Sequence, residues 1–134
     1  MSLTSDVRQF PVVAYVEFTY AEIPTTATAY TSVAVPVGSI FTLMKIFITT
    51  AWAAGDHDLD FGDATDADEY SGTIVELDGS AGFPANQPVL SGFQTTLSEP
   101  DLVLTPTHSA GATAGAARLY VEYITEGRFH ENYE

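Results

Sequence analysis

The sequence of 134 residues contains no cysteine and very few basic residues. Without thiols, neither disulfides nor thiolate chemistry can contribute, so the fold must be held by burial, hydrogen bonding or assembly. Only 4 Lys and Arg stand against 18 Asp and Glu, which gives a net charge of −14. Because such a chain repels phosphate groups, we expect neither nucleic acid nor a membrane as its partner.

Long hydrophobic runs are also missing. No apolar run reaches membrane-spanning length, and the first eleven residues hold no apolar stretch that would serve as a signal peptide. The chain does have 46% hydrophobic and 12% aromatic residues, which is enough for the core of one folded domain. We divide it into an N-terminal arm at residues 1–11, a domain at residues 12–126 and an acidic C-terminal tail at residues 127–134.

Alternating apolar residues and β-branched residues predict about eight short strands. The predicted strands cover residues 12–20, 30–35, 40–50, 58–61, 73–77, 89–96, 101–105 and 116–125. The only helical candidate is one turn at residues 66–71. This pattern predicts an all-β fold, an antiparallel β-sandwich of jelly-roll-like type.

Two of these strands carry the same phrase of Tyr, Val, Glu and an aromatic residue, at residues 15–18 and 120–123. The repetition indicates that the first and last strands lie in equivalent environments as neighbours. If Glu17 and Glu122 were paired directly they would repel, and Arg118 is placed to relieve that repulsion.

The strand at residues 40–50 is apolar on both of its faces. Strict alternation places Ile40, Met44, Ile46 and Ile48 on one face. It places Phe41, Leu43 and Phe47, interrupted only by Lys45, on the other. A strand that faces water on one side should be polar there, so either a loop of the same chain or another subunit must cover the second face. The interface candidates are Phe41, Leu43, Phe47, Trp52, Val7 and Phe10.

The acidic segment after this strand is the main concentration of possible ligands. Asp56, Asp58 and Asp60 are weak candidates for Ca²⁺, but Phe61 stands where an EF-hand loop needs glycine, and Ala67 where it needs glutamate. A solvated acidic rim is the favoured interpretation. The three histidines, His57, His108 and His130, have no paired spacing typical of a zinc site, and surface positions are expected for them.

Other catalytic patterns are weaker still. Ser109 follows His108 in a Gly/Ala-rich loop without the nucleophile-elbow pattern, so we expect no enzyme and no cofactor. One alternative is a carbohydrate- or receptor-binding module, which would need Trp52, Tyr70 and Phe83 as an exposed aromatic platform. A cupin-like enzyme would need two histidines and a carboxylate converging in a barrel.

The middle of the chain resembles small virion proteins of tailed bacteriophages. The resemblance is one of fold pattern: a Pro-x-Gly turn, a long strand ending in Thr-Thr-Ala-aromatic, a glycine turn, a short alternating strand and a Gly-Asp-rich acidic loop. The closing strand at residues 118–124 also fits. The residues that carry the pattern are Pro36, Gly38, Thr49, Thr50, Ala51, Trp52, Gly55, Leu59, Phe61, Gly62, Asp63, Asp66, Ala67, Asp68 and Tyr70.

The resemblance implies a head decoration (cement) protein that binds the outer surface of the capsid and bridges neighbouring capsid subunits. It also implies that the partner is the major capsid protein, that the chain forms a homotrimer, and that it is assembled in the host cytoplasm onto the virion.

Overall fold

The computed structural model describes residues 10–90, 95 and 99–125. Most of the predicted arm, the predicted tail and most of the strand predicted at residues 89–96 lie outside the described residues, and so do Val7 and His130. Within the strand predicted at residues 89–96, Leu90 forms an isolated antiparallel bridge with Ser71.

The predicted all-β sandwich is confirmed, with seven strands in the described part of the chain where about eight were expected. No helix occurs among the described residues, and the helical turn expected at residues 66–71 is a turn that leads into a strand. Accordingly, the described residues contain no helix capable of spanning a membrane. The strands are β1 (Pro11–Thr19), β2 (Tyr30–Val33), β3 (Ile40–Ala53), β4 (His57–Gly62), β5 (Ser71–Glu76), β6 (Leu102–His108) and β7 (Ala114–Ile124).

The strands form two antiparallel sheets that pack face to face. One sheet has three strands in the order β1-β7-β3, and the other has four in the order β2-β6-β4-β5. Their inner faces share a hydrophobic core, in which Phe41 packs its ring against Tyr70 with centroids 4.7 Å apart. Fully buried core side chains from the two sheets include Ile46, Leu119 and Val121 on one side and Leu59, Phe61, Val75, Leu102 and Leu104 on the other.

The first and last strands are neighbours, as their shared phrase indicates. They run antiparallel with Glu17 opposite Arg118 and Val13 opposite Glu122. Antiparallel pairing therefore offsets the two phrases, and the two glutamates do not face each other. Arg118 Nε donates to Glu17 Oε1 at 3.1 Å, so the arginine relieves one glutamate through direct pairing.

The assignment of faces along β3 was wrong at its beginning. A β-bulge shifts the register between Phe41, opposite Tyr123, and Leu43, opposite Glu122. The extra residue reverses the alternation, so Phe41 turns into the core at 4% exposure while Ile40 is 45% exposed. Strict alternation is a property of a regular strand, and it fails where one strand carries an additional residue.

Candidate functional site

The outward side of the three-stranded sheet carries an unusual number of exposed apolar side chains. Val13, Tyr15, Ile40 and Leu43 are 64%, 50%, 45% and 41% exposed, respectively. We call this surface the apolar face. Its members from the three strands are Val13, Tyr15, Glu17, Arg118, Tyr120, Glu122, Ile124, Ile40, Leu43, Lys45 and Phe47. An exposed apolar surface of this kind, interspersed with polar groups, is typical of a protein–protein contact.

Cross-strand pairs order the apolar face into rows. Tyr15 lies opposite Tyr120, which lies opposite Lys45, and the two tyrosine rings have centroids 5.2 Å apart. In the next row, Glu17 accepts hydrogen bonds from Tyr15 Oη and Arg118 Nε. These two donors hold the pKa of Glu17 below its usual range, the tyrosine contributing most. Glu17 and Arg118 are thus held in place by neighbours on the same surface.

The apolar face is also where positive charge is found. Within residues 10–90, 95 and 99–125 the only Lys and Arg are Lys45 and Arg118, and both lie here. Glu17 and Glu122 are the acids of this face, so its formal charges cancel while the whole chain carries −14. A neutral patch is the part of a strongly acidic protein that repels another negatively charged protein the least.

One edge of the apolar face is closed by a loop, residues 78–88, which we call the strap. Gly82 and Ile48 exchange two backbone hydrogen bonds of 2.7 and 2.8 Å. Gln87 accepts from Ile46 N and donates to Ile46 O at 2.9 and 3.0 Å. The strap therefore satisfies backbone groups at the edge of β3, which would otherwise be available for strand pairing with another chain.

The strap also places one large aromatic residue beside the apolar face. Phe83 packs edge-on against Phe47, with ring centroids 4.9 Å apart, and is itself 67% exposed. The sequence left open whether a loop of the same chain or another subunit covers the second face of β3. A loop of the same chain covers the part around Phe47, whereas Ile40 and Leu43 stay exposed.

The outward side of the four-stranded sheet is different in character. Leu59 and Phe61 of β4 point into the core, so Asp58 and Asp60 point outward, opposite Thr107 and Thr105 of β6. Asp58 is also opposite Glu76 of β5. We call this surface, with the members Asp58, Asp60, Glu76, Thr105 and Thr107, the acidic face.

The carboxylates of the acidic face are held under mutual repulsion. Partial burial, followed by the charges of Asp78 and Asp56, raises the pKa of Asp58. Partial burial, followed by Asp68 and Asp58, raises the pKa of Asp60. Negative charge on this side is therefore less favourable than it would be on an isolated side chain.

The acidic loop next to this face has a structural role. Asp63 is buried, and its Oδ1 accepts from the backbone N–H groups of Thr65 and Asp66 and from Thr65 Oγ1, at 2.8–2.9 Å. Gly62 is required beside it, because a Cβ there would lie 2.1 Å from Asp66 O. The part of the acidic pattern that resembles phage virion proteins thus builds a turn.

The predicted interface residues do not lie together. Phe41 and Trp52 are 4% and 3% exposed and belong to the core, so neither is available to a partner. Leu43 is on the apolar face, Phe47 is partly covered by Phe83, and Phe10 is 49% exposed just before β1. The interface residues predicted from the sequence did not include Val13 and Tyr15. These two residues alternate with Val12, Ala14 and Val16 along β1, and their apolar character on the second face of the strand was the signal for them.

The aromatic platform needed by a carbohydrate-binding module is not formed by its candidates. Trp52 and Tyr70 are 3% and 2% exposed, which leaves Phe83 as the only exposed ring of the three. Trp52 packs against Phe18, with centroids 5.9 Å apart. No stacking surface for a sugar results from these three residues.

The calcium candidates are likewise not brought together with other ligands. Asp56 is exposed in the turn before β4, and no group of three or more His, Asp or Glu among the described residues is placed to hold a metal ion. We therefore propose no calcium site. Asp58 and Asp60 are members of the acidic face, but they are half-buried and do not form the solvated rim expected of them.

Of the two histidines that the structure describes, His57 differs from the surface position expected of it, and His108 is half-buried. His57 is fully buried, because it begins β4 directly opposite His108 at the end of β6, and the two rings are in hydrogen-bond contact. Ser109 Oγ accepts from Asp56 N at 2.8 Å, whereas the His108 nitrogens contact His57 and Ile23 O. Ser109 and His108 therefore do not form a nucleophile and base.

A groove beside the sandwich also lacks a catalytic arrangement. It lies between β1 and β2, has a volume of about 330 Å³ and is lined by Phe18, Ile23, Tyr30 and Leu104, among others. Its two carboxylates, Glu17 and Glu22, are not accompanied by a histidine. The groove offers apolar surface without a recognisable acid–base pair.

Comparison with known proteins gives a likeness of fold. No protein-family model matches the chain, and no curated protein matches it. A chain of the structure titled "Cyanophage Pam1 capsid asymmetric unit" is similar over 92% of this chain and 93% of that chain, with a TM-score of 0.65 and 22% identity. A chain of the structure titled "Acidic stable capsid structure of Helicobacter pylori bacteriophage KHP30" is similar over 86% and 87%, with a TM-score of 0.58 and 14% identity.

Proposed function

We propose that this chain is a structural protein of a bacteriophage virion, and that it acts as a head decoration protein on the outer surface of the capsid. The observation that carries the proposal is the likeness of the whole fold to chains from two phage capsid structures, over 92% and 86% of this chain. The apolar face supplies the physical means, because it is a surface suited to contact with another protein.

Size supports a role as an accessory part of a shell. The likeness extends over 93% and 87% of the two capsid-structure chains, so both are close to this chain in length. The whole domain, with no additional one, is therefore the unit that is shared with those capsid structures. A single small sandwich has limited core, and attachment to a larger assembly adds to its stability by mass action.

The two outward faces suggest how such a protein would be oriented. In the proposed arrangement the apolar face, with Leu43 and Val13, rests on the major capsid protein, and the acidic face is turned to the solvent. Binding that exists only in the assembled shell stabilises that shell relative to its separate subunits. Repetition of the contact over many symmetry-related sites adds avidity to contacts that are individually weak.

The proposal is tested by adding purified protein to capsids that lack it. We expect saturable binding at a fixed ratio to capsid subunits and an increase in the temperature at which the capsids disrupt. Leu43→Asp should weaken binding at least about tenfold, because docking would bury an unpaired charge. Ile74→Asp is the matched control, since Ile74 is 51% exposed on β5 of the other sheet. Equal binding by both variants would contradict the assigned face.

A homotrimer is the oligomeric state that we propose for the attached protein. Light scattering of the purified chain measures its mass in solution, and electron microscopy of decorated capsids locates the bound copies. Copies grouped around three-fold positions are expected. Binding as isolated single copies would contradict the trimer and leave the decoration role standing, whereas absence of any capsid binding would contradict the role itself.

A further inference from the structure

Two histidines meet at one end of the sandwich in an arrangement that the proposed function does not explain. Hydrogen-bonded pairing of β4 with β6 places His57 directly opposite His108. Their Nδ1 atoms are 2.9 Å apart, and their ring centroids are 5.0 Å apart at an interplanar angle of 61°. His57 is fully buried, so its polar atoms depend on protein partners.

The other nitrogen of each ring faces a backbone carbonyl. His108 Nε2 is 2.8 Å from Ile23 O, and His57 Nε2 is 3.3 Å from Ala53 O. A carbonyl oxygen can only accept a hydrogen bond, so each Nε2 must carry a hydrogen for these contacts to be favourable. Both neutral rings then have their single hydrogen on Nε2, and both Nδ1 atoms are left as acceptors that face each other.

The number of hydrogens decides what this arrangement binds. Three contacts, two to carbonyls and one between the rings, require three N–H groups, whereas two neutral imidazoles provide two. We propose that His57 and His108 form one proton-binding site, in which a single additional proton is shared between the two Nδ1 atoms. With that proton bound, every ring nitrogen of the pair has a favourable partner. Without it two acceptors are in contact, one on the fully buried His57 and one on the half-buried His108.

The charges around the site favour the bound proton. Asp78 Oδ1 accepts from the backbone N–H of His57 at 2.9 Å, and Asp56 and Asp58 flank His57 in the sequence. Glu22 precedes Ile23 in the loop that receives the His108 hydrogen bond, and the end of β3 at Ala53 contributes no charged group. Lys45 and Arg118, the cations of the described residues, belong to the apolar face. Burial opposes a charge here, but the surrounding groups are carboxylates and the chain carries −14.

The site connects separate parts of the fold. Ala53 ends β3 of the three-stranded sheet, His57 and His108 belong to the four-stranded sheet, and Ile23 lies in the loop between β1 and β2. The folded chain would hold one proton between the two rings, whereas the rings of an unfolded chain are apart and share none. The bound proton then contributes to the free energy of unfolding at any pH where the folded site holds it and the unfolded chain does not.

The direct test is imidazole NMR on ¹⁵N-labelled protein, with His130→Gln used to assign the third ring. Near pH 6.5 we expect hydrogens on both Nε2 atoms and one exchange-protected, strongly downfield hydrogen between the Nδ1 atoms. A spectrum in which one ring carries its only hydrogen on Nδ1, unchanged between pH 8 and pH 6, would overturn the proposal. This measurement uses the unmodified site and does not depend on a variant that folds.

Stability measurements provide the second test. His108→Gln keeps a donor for Ile23 O and removes the Nδ1 atom. Because only the wild type gains a bound proton, its advantage in free energy of unfolding over this variant should increase as the pH falls from 8 to 6. A constant difference across that range would contradict a shared proton. The comparison made again in the Asp60→Asn background, which leaves the carboxylates next to His57 in place, tests whether Asp60 of the acidic face is the source. Capsid binding is not part of either test, so their outcome is independent of the decoration role.

Discussion

The two outward faces of the sandwich are built from the same kind of strand and have opposite surface chemistry. The apolar face exposes Val13, Tyr15 and Leu43, and its few charges cancel. The acidic face carries the half-buried Asp58 and Asp60, whose pKa values are raised first by partial burial and then by repulsion from other carboxylates. Both faces cover one common core, so the core does not account for the difference, whereas the proposed contact on one side only would.

The faces also differ in how they are secured. The apolar face rests on the long pairing of β7 with β1, which is regular, and with β3, which is interrupted by bulges, and the strap closes the β3 edge. The acidic side depends on a tight loop. A Cβ at Gly62 would clash with the backbone of this loop, and the Asp63 carboxylate accepts hydrogen bonds that hold its turn. A regular sheet tolerates changes of outward side chains, whereas a tight turn does not tolerate changes of its backbone geometry.

The largest effect is expected where the acidic side is tightest. Gly62→Ala would place a Cβ 2.1 Å from Asp66 O and 2.5 Å from Ala67 O, both backbone atoms that cannot simply rotate away. We expect a loss of about 2–4 kcal/mol in the free energy of unfolding, measured by urea denaturation. Gly72→Ala is the matched control, because a Cβ there meets nothing within 4 Å. Similar losses in both variants would mean that the loop is not the rigid part of this side.

A smaller effect is expected at the edge of the apolar face. Gln87→Ala removes the side chain that both accepts from and donates to the backbone of Ile46. We expect a loss of about 1–3 kcal/mol, together with concentration-dependent association through the exposed β3 edge, followed by light scattering. The neighbouring Asn86→Ala should change stability by less than about 0.5 kcal/mol. If Gln87→Ala stayed as stable and as monodisperse as Asn86→Ala, the strap would have no protective role.

The smallest effect concerns the charges of the acidic face. Asp58 and Asp60 have raised pKa values in the folded chain, so the folded state binds their protons more tightly than the unfolded state. The free energy of unfolding contributed by these groups therefore increases as the pH falls toward their ordinary value of about 4, and decreases again as the pH rises. In thermal unfolding, the stability of Asp58→Asn/Asp60→Asn should therefore fall relative to that of the wild type as the pH decreases from 7 to 4.

Ile74→Ala, on β5 of the same sheet, is the control for that experiment, because it changes an exposed side chain and removes no carboxylate. Glu17 and Asp66 have lowered pKa values and act in the opposite sense, which is why the difference between variant and wild type is the quantity to measure. If the double variant had the same pH dependence of stability as the wild type, the predicted electrostatic difference between the two faces would be contradicted.

Much of the fold followed from local pattern. Alternation predicted β1 within one residue at each end, and the Tyr-Val-Glu phrases predicted that β1 and β7 are neighbours. The acidic residues after β3 were interpreted as a solvated rim, but Asp58 and Asp60 are half-buried and Asp63 is buried in a turn. The strand predictions succeeded because a period of two is a property of a short stretch of chain.

The candidate site was predicted less well, for the same reason. Leu43 was identified, but Phe41 and Trp52 were assigned to an interface although they lie in the core. A bulge between Phe41 and Leu43 reversed the faces, and bulges depend on the partner strand as much as on the bulged one. The packing of Phe83 against Phe47 could not be predicted from the sequence either, because it depends on where the strap crosses β3.

By itself, the amino-acid sequence determined an all-β chain without thiol chemistry, its main strands and its strongly negative charge. Tertiary structure alone decided which apolar residues remain outside, where the two cations Lys45 and Arg118 converge, and that His57 meets His108 across 51 positions. The physical reason is that hydrophobic periodicity is encoded over a few residues. The environment of a side chain is set by strands that are distant in the sequence and by their register.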